Sequence, residues 1–78
     1  MASIPSVVLY HGQGCHLCDR AREVLDRVGV PYESVDITGV DELEATYREW
    51  IPVVEIDGAR AFVYYVDEAA LRRRLARG

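Results

Sequence analysis

The 78-residue chain contains no lysine; nine arginines face thirteen acidic residues, for a net charge of −4. That balance argues against non-specific nucleic-acid binding, which depends on neutralising phosphates. No apolar run approaches the roughly 20 residues a membrane-spanning helix needs, so no membrane partner is expected. Met1-Ala2-Ser3-Ile4-Pro5 lacks a charged segment followed by an apolar stretch. No signal peptide is read there, and a reducing, cytoplasmic setting is expected. Repeats, linkers and low-complexity tracts are absent, which leaves one domain over residues 1–78. Cysteine is scarce too, with only Cys15 and Cys18. A bridge between them closes a four-residue loop worth only about 2 kcal/mol in the loop-entropy model, so it is no structural staple. The fold must rest on apolar packing, and half the residues are apolar. A domain this short is near the lower size limit for independent folding.

The pattern of those apolar residues predicts an α/β chain. Val7 to Tyr10 reads as a strand buried on both faces. His16 to Val28 reads as a helix with Leu17, Ala21, Val24, Leu25 and Val28 inward, stopped by Gly29 and Pro31. Tyr32 to Ile37 is a second strand. Thr38-Gly39-Val40-Asp41 resembles a capping box opening a second helix, with Val40, Leu43 and Tyr47 as its buried stripe. That helix stops near Trp50, because Pro52 disfavours helical geometry at Ile51. Pro52 to Ile56 and Arg60 to Tyr64 flank Asp57-Gly58, a strong hairpin signal. Asp67 caps a third helix with Ala70, Leu71 and Leu75 inward. The order β-α-β-α-β-β-α implies a four-stranded mixed sheet with helices on both faces. The first two strands are parallel and the last two antiparallel.

Chemistry concentrates in Gly12-Gln13-Gly14-Cys15-His16-Leu17-Cys18. A Cys-x-x-Cys at a strand-to-helix turn is the sequence form of a redox site. Cys15 falls at the helix start, where unpaired N–H groups and the helix dipole favour a thiolate. Cys15 is therefore expected to attack and Cys18, one turn deeper, to resolve. Gly12 and Gly14 permit a tight turn and keep bulk from the sulfur. A cationic His16 would stabilise the Cys15 thiolate; the alternative is an exposed histidine of little effect. Tyr10 and Trp50 are expected to wall the site and grip substrate, or else to pack as ordinary aromatics. His11, Cys15, His16 and Cys18 match zinc spacing poorly, so no metal is expected. Arg20 and Arg22 read as solvated-face charges. Arg72-Arg73-Arg74 and Arg77 are too widely spread around a helix to form one stripe.

Cys15-His16-Leu17-Cys18, Trp50-Ile51-Pro52-Val53 and the Asp57-Gly58 hairpin, in this order, resemble the glutaredoxin-like branch of the thioredoxin superfamily. The likeness is to the small bacterial type whose site reads Gly-Cys-His-Leu-Cys, and it covers nearly the whole chain. It implies a thioredoxin-like fold and a thiol–disulfide oxidoreductase acting on protein disulfides or glutathione mixed disulfides. It implies a cis Pro52 beside the sulfurs, with Ile51 offering its backbone to an extended substrate. It also implies Asp67 in substrate binding, at a position that meets the amino end of glutathione; a helix cap is the competing role. Electrons would come from glutathione or a flavoprotein reductase, with no bound cofactor, and a monomer is the default. Three features depart from the glutathione-using members. Gly12 replaces a lysine, Val63-Tyr64-Tyr65-Val66 occupies the place of a Gly-Gly pair, and His16-Leu17 replaces Pro-Tyr. The alternatives from other classes are a redox-sensing binding module without turnover and a metal or cluster carrier.

Overall fold

A computed structural model describes residues 5–76. Met1 to Ile4, within the segment read for a signal peptide, and Arg77 lie outside the described residues. The elements are β1 (Val7–His11), α1 (His16–Val28), β2 (Glu33–Asp36), α2 (Asp41–Tyr47), β3 (Val53–Ile56), β4 (Ala59–Val63) and α3 (Glu68–Ala76). The sheet order is β2-β1-β3-β4, with β1 parallel to β2 and antiparallel to β3, and β3 antiparallel to β4. This is the four-stranded mixed sheet that the element order predicts, in the thioredoxin-like form that the resemblance implies.

Strand alternation divides the sheet into two faces. Val7 and Leu9 pair with Ile56 and Val54 on one face. There they pack with Ala21, Leu25, Val66 and Leu71 into the main core under α1 and α3. Tyr10, Val53 and Glu55 share the other face. There α2 lays Tyr47 on Tyr10, with ring centroids 4.0 Å apart and planes 12° from parallel. The Tyr47 hydroxyl donates to Glu55 Oε2 at 2.8 Å. Burial first, then that carboxylate, pushes the Tyr47 hydroxyl pKa up. Helices therefore cover both faces, but only the α1/α3 side is a deep core.

Several local expectations need correction. Leu17 is 45% exposed rather than inward. The buried residues of α1 are Cys18, Ala21 and Leu25, with Val24 and Val28 partly buried against the core, so the inward face is the expected one except that Cys18 takes the place expected for Leu17. No capping box forms. Val40 is the N-cap of α2 without a side-chain bond, and it is 45% exposed. Lying outside the helix, it cannot join a helical stripe. Of that stripe only Leu43 and Tyr47 are half-buried, and α2 buries no residue fully. The Thr38 hydroxyl instead accepts the Gln13 N–H at 3.1 Å, and Glu44 takes the Gly39 N–H at 3.1 Å. β1 is fully buried on one face only, since Val8 and Tyr10 are half-covered.

Turn chemistry behaves as the sequence suggests. Asp57 (φ 53°) and Gly58 (φ 81°) both take the left-handed geometry of a tight hairpin. Asp67 Oδ1 accepts the N–H groups of Ala69 and Ala70 at 2.9 and 3.2 Å, capping α3. Glu68 binds Arg27 and Arg72, clamping α3 to α1.

Two substitutions test this packing. Leu9→Ala should lower the unfolding free energy by about 2–5 kcal/mol, the range for a truncated core leucine. Val40→Ala should change it by no more than about 0.5 kcal/mol. Urea unfolding midpoints read both, and equal losses would contradict the one-sided core.

Candidate active site

The site grows from the end of β1. His11, the last strand residue, accepts the Ile37 N–H on its carbonyl at 2.9 Å. Gly12 follows against the residue before Pro52. A Cβ placed on Gly12 would lie 2.9 Å from Ile51 Cδ1, so a side chain there would drive Ile51 away. Gln13 is tied to Thr38 as above. Gly14 then turns the chain at φ 70°, a geometry that strains any residue with a Cβ. These contacts deliver Cys15 to the first turn of α1.

Cys15 is the N-cap of α1, with extended dihedrals, and its Sγ accepts the Cys18 N–H at 3.1 Å. Its carbonyl accepts the Asp19 N–H at 3.3 Å. Cys15 is half-exposed while Cys18 is buried, and the two are joined in a disulfide with Cα atoms 5.2 Å apart. A sulfur that accepts a backbone N–H at a helix N-terminus sits where a thiolate is favoured over a thiol. His16 and Leu17 between them are exposed.

Ile51–Pro52 is a cis peptide bond, and Pro52 is fully buried. The Pro52 carbonyl accepts the Tyr64 N–H at 2.9 Å. Among the described residues, no backbone hydrogen bond engages Ile51. Tyr64 has φ 64°, an outlier for an aromatic residue, and its hydroxyl donates to the Glu49 carbonyl at 2.7 Å. Trp50 leans on Tyr64 with centroids 6.0 Å apart, and the Arg60 guanidinium lies 5.9 Å from the Trp50 ring.

The structure thus divides the candidate residues. Cys15, Cys18 and Gly14 form one segment, and Ile51 abuts it at Gly12. Tyr10 is engaged by Tyr47 on the α2 face, and Trp50 by Tyr64 and Arg60. Asp67 serves as the cap of α3. Thr38 and Tyr64 were not singled out by sequence reasoning. Tyr64 left one signal, because it falls in the stretch where the resemblance implies a Gly-Gly pair, and its φ of 64° is a geometry glycine adopts freely. Among the described residues, no three His, Cys, Asp or Glu side chains converge on a metal-sized site. None of the described helices is long and apolar enough to cross a membrane.

His11 has a partner the sequence did not suggest. Its Nε2 lies 2.8 Å from Ser34 Oγ, which also accepts from Arg22 at 3.2 Å. Burial first, then Arg22, holds the imidazole pKa below its ordinary 6.5, against weaker upward pulls from Asp36 and Asp19. Between 6.5 and the lower folded value, the unfolded chain binds the extra proton and the folded one does not. Stability should therefore be complete above that window and fall as pH drops through it. In His11→Gln this component of the slope should vanish. Urea midpoints between about pH 7.5 and about pH 5.5 read the difference, and identical slopes would refute the coupling.

Three comparisons agree with this geometry. The Glutaredoxin-like domain (DUF836) family model matches residues 6–76. Rv0508 of Mycobacterium tuberculosis, a protein described as uncharacterized, is 33% identical over 84 residues, covering 96% of this chain and 87% of that one. The X-ray structure of XcR50 from X. campestris superposes with a TM-score of 0.81 at 31% identity, over 94% of this chain and 99% of that one. A glutaredoxin from Archaeoglobus fulgidus shares the fold with a TM-score of 0.67 at 24% identity, over 97% and 90% of the two chains. With its Cys15–Cys18 pair at the head of α1, the chain belongs to the glutaredoxin-like family of the thioredoxin superfamily.

Proposed function

We propose that this protein is a thiol–disulfide oxidoreductase in which Cys15 attacks and Cys18 resolves. The observation that carries the reading is the asymmetry of the pair. Cys15 is half-exposed and its sulfur accepts a backbone N–H at the helix start, whereas Cys18 is buried one turn deeper. The reaction begins with the Cys15 thiolate attacking a substrate disulfide. A Cys15–substrate bond forms, the substrate S–S bond breaks, and one substrate sulfur leaves as a thiolate. Cys18 then gives up its proton to solvent and attacks Cys15 Sγ. The second substrate sulfur leaves, and the protein retains the Cys15–Cys18 disulfide. Two electrons have passed to the substrate, whose sulfurs take up two protons.

On this reading the substrates are protein disulfides or glutathione mixed disulfides. Glutathione or a flavoprotein reductase returns the electrons, and no resident cofactor is required. The protein works as a monomer in the reducing cytoplasm. A protonated His16 raises the potential by stabilising the reduced thiolate, and Ile51, Gly14 and Pro52 line the approach to Cys15. Asp67 contributes to substrate binding through its helix-start position.

Equilibration in graded glutathione buffers, read by intact mass after alkylation, tests the proposal. The pair should show a reversible two-electron midpoint within roughly −270 to −120 mV, the span of known Cys-x-x-Cys couples. Cys18→Ser should accumulate a mixed disulfide on Cys15, and Cys15→Ser should not. A pair that never forms a disulfide, or an adduct confined to Cys18, would refute the assigned roles.

A further inference from the structure

A cavity of about 340 Å³ lies between β4 and α3, lined by Ala61, Phe62, Ala70, Arg73 and Arg74. It sits at the outer edge of the sheet, with β3 between it and β1. It shares no residue with the cysteine-bearing loop, the cis-proline segment or Tyr64. Its volume falls within the range of small-molecule sites, roughly 300–1,000 Å³.

Local structure explains how the cavity forms. In the β3–β4 register Val54 pairs with Phe62 and Glu55 with Arg60, which leaves Ala61 as an extra residue on the edge strand. Neighbours in a regular strand face opposite sides, and a bulge breaks that alternation. Ala61 and Phe62 accordingly both line the cavity. On α3, Ala70, Arg73 and Arg74 follow helical spacing and share one face. Small side chains at Ala61 and Ala70 leave the space open, and Phe62, packed partly against the core, gives it an apolar wall.

The two arginines set its chemistry. Arg72 beside them is taken by Glu68, 3.0 Å away. Among the described residues no carboxylate lies within ion-pair distance of Arg73 or Arg74, although acids outnumber arginines in the chain. Cations in a last helical turn complement the dipole, which accounts for their charge but not for the cavity they flank. A guanidinium offers a planar fork of donors that suits a carboxylate or a phosphate. We infer that this cavity is a second ligand site, which takes a small organic oxyanion. The apolar body of the ligand lies against Ala61, Phe62 and Ala70, and its charged group meets Arg73 and Arg74. A carboxylate and a phosphate monoester share that chemistry. The site is independent of the dithiol and of the proposed redox reaction.

The test is an NMR titration of the isotope-labelled full chain with phenylbutyrate and, separately, phenylpropyl phosphate. Amide shifts should move at Ala61, Phe62, Ala70, Arg73 and Arg74 and saturate with a Kd of about 1 mM, the affinity a ligand of about a dozen atoms reaches at ordinary efficiency. Phenylbutanol, the same body without the charge, should bind about tenfold more weakly, and so should acetate, the charge without the body. Ala70→Leu fills the cavity from a helix position that favours leucine and should abolish saturable binding. Arg73→Gln with Arg74→Gln should weaken it about tenfold, whereas Arg72→Gln should leave it unchanged. Tighter binding of the carboxylate or of the phosphate assigns the ligand to that source, and either supports the site. Failure of both anions to saturate, equal binding of the alcohol, unchanged binding in Ala70→Leu, or shifts centred on Gly14 to Cys18 would each overturn the inference.

Discussion

The hydrogen bond from the Cys18 N–H to Cys15 Sγ is the contact on which the site depends. It makes a cysteine the N-cap of α1, a role that serine, threonine, aspartate and asparagine normally fill with oxygen. One interaction thereby closes the helix start, fixes the sulfur and sets its electrostatics. The same turn places Cys18 on the inner arc of the helix with Ala21 and Leu25. The exposed and buried ends of the dithiol are consequences of one helical turn at one cap. A start one residue earlier or later would rotate both sulfurs by about 100° around the helix axis.

Holding the cap in that register requires the preceding loop to be fixed, and contacts from two distant segments do this. β2 pairs with β1 up to His11, and the residue that follows it, Ile37, donates to the His11 carbonyl. Thr38 receives the Gln13 N–H, and Ile51 crowds Gly12 closely enough that a side chain there would displace it. None of these partners is near the cysteines in sequence. The segment before Pro52 is tied in turn to the end of β4 through Tyr64. The loop ends therefore form one connected rim around the head of α1, which couples the site to the sheet rather than to its own local turn.

The core is asymmetric in a way that suits this arrangement. The α1/α3 face carries the deep apolar packing, and the other face is covered by the short α2 through aromatic stacking and the Tyr47–Glu55 bond. A small domain has too little apolar material to fill both sides equally. The consequence is that Val40, expected inside, lies exposed at the rim, and with Leu17, Trp50, Tyr64 and Tyr65 it gives that end of the molecule its apolar character.

By itself, the sequence determined the element order, the extent of α1, the Asp57-Gly58 hairpin, the Asp67 cap and the placement of Cys15 and Cys18 at a helix start. Each of these is written in local signals: apolar periodicity, turn residues and capping residues acting within a few positions. Tertiary structure alone decided which of Leu17 and Cys18 turns inward, since both lie on neighbouring sides of the same helical turn. It also decided that Thr38 would tether Gln13 instead of capping α2, that His11 would meet Ser34 and Arg22, and that Tyr64 would adopt a glycine-like conformation. Those outcomes depend on partners 12 to 25 residues away, or on strand pairing that fixes the backbone whatever the local preference. Local pattern carries no record of such neighbours until the sheet has brought them together.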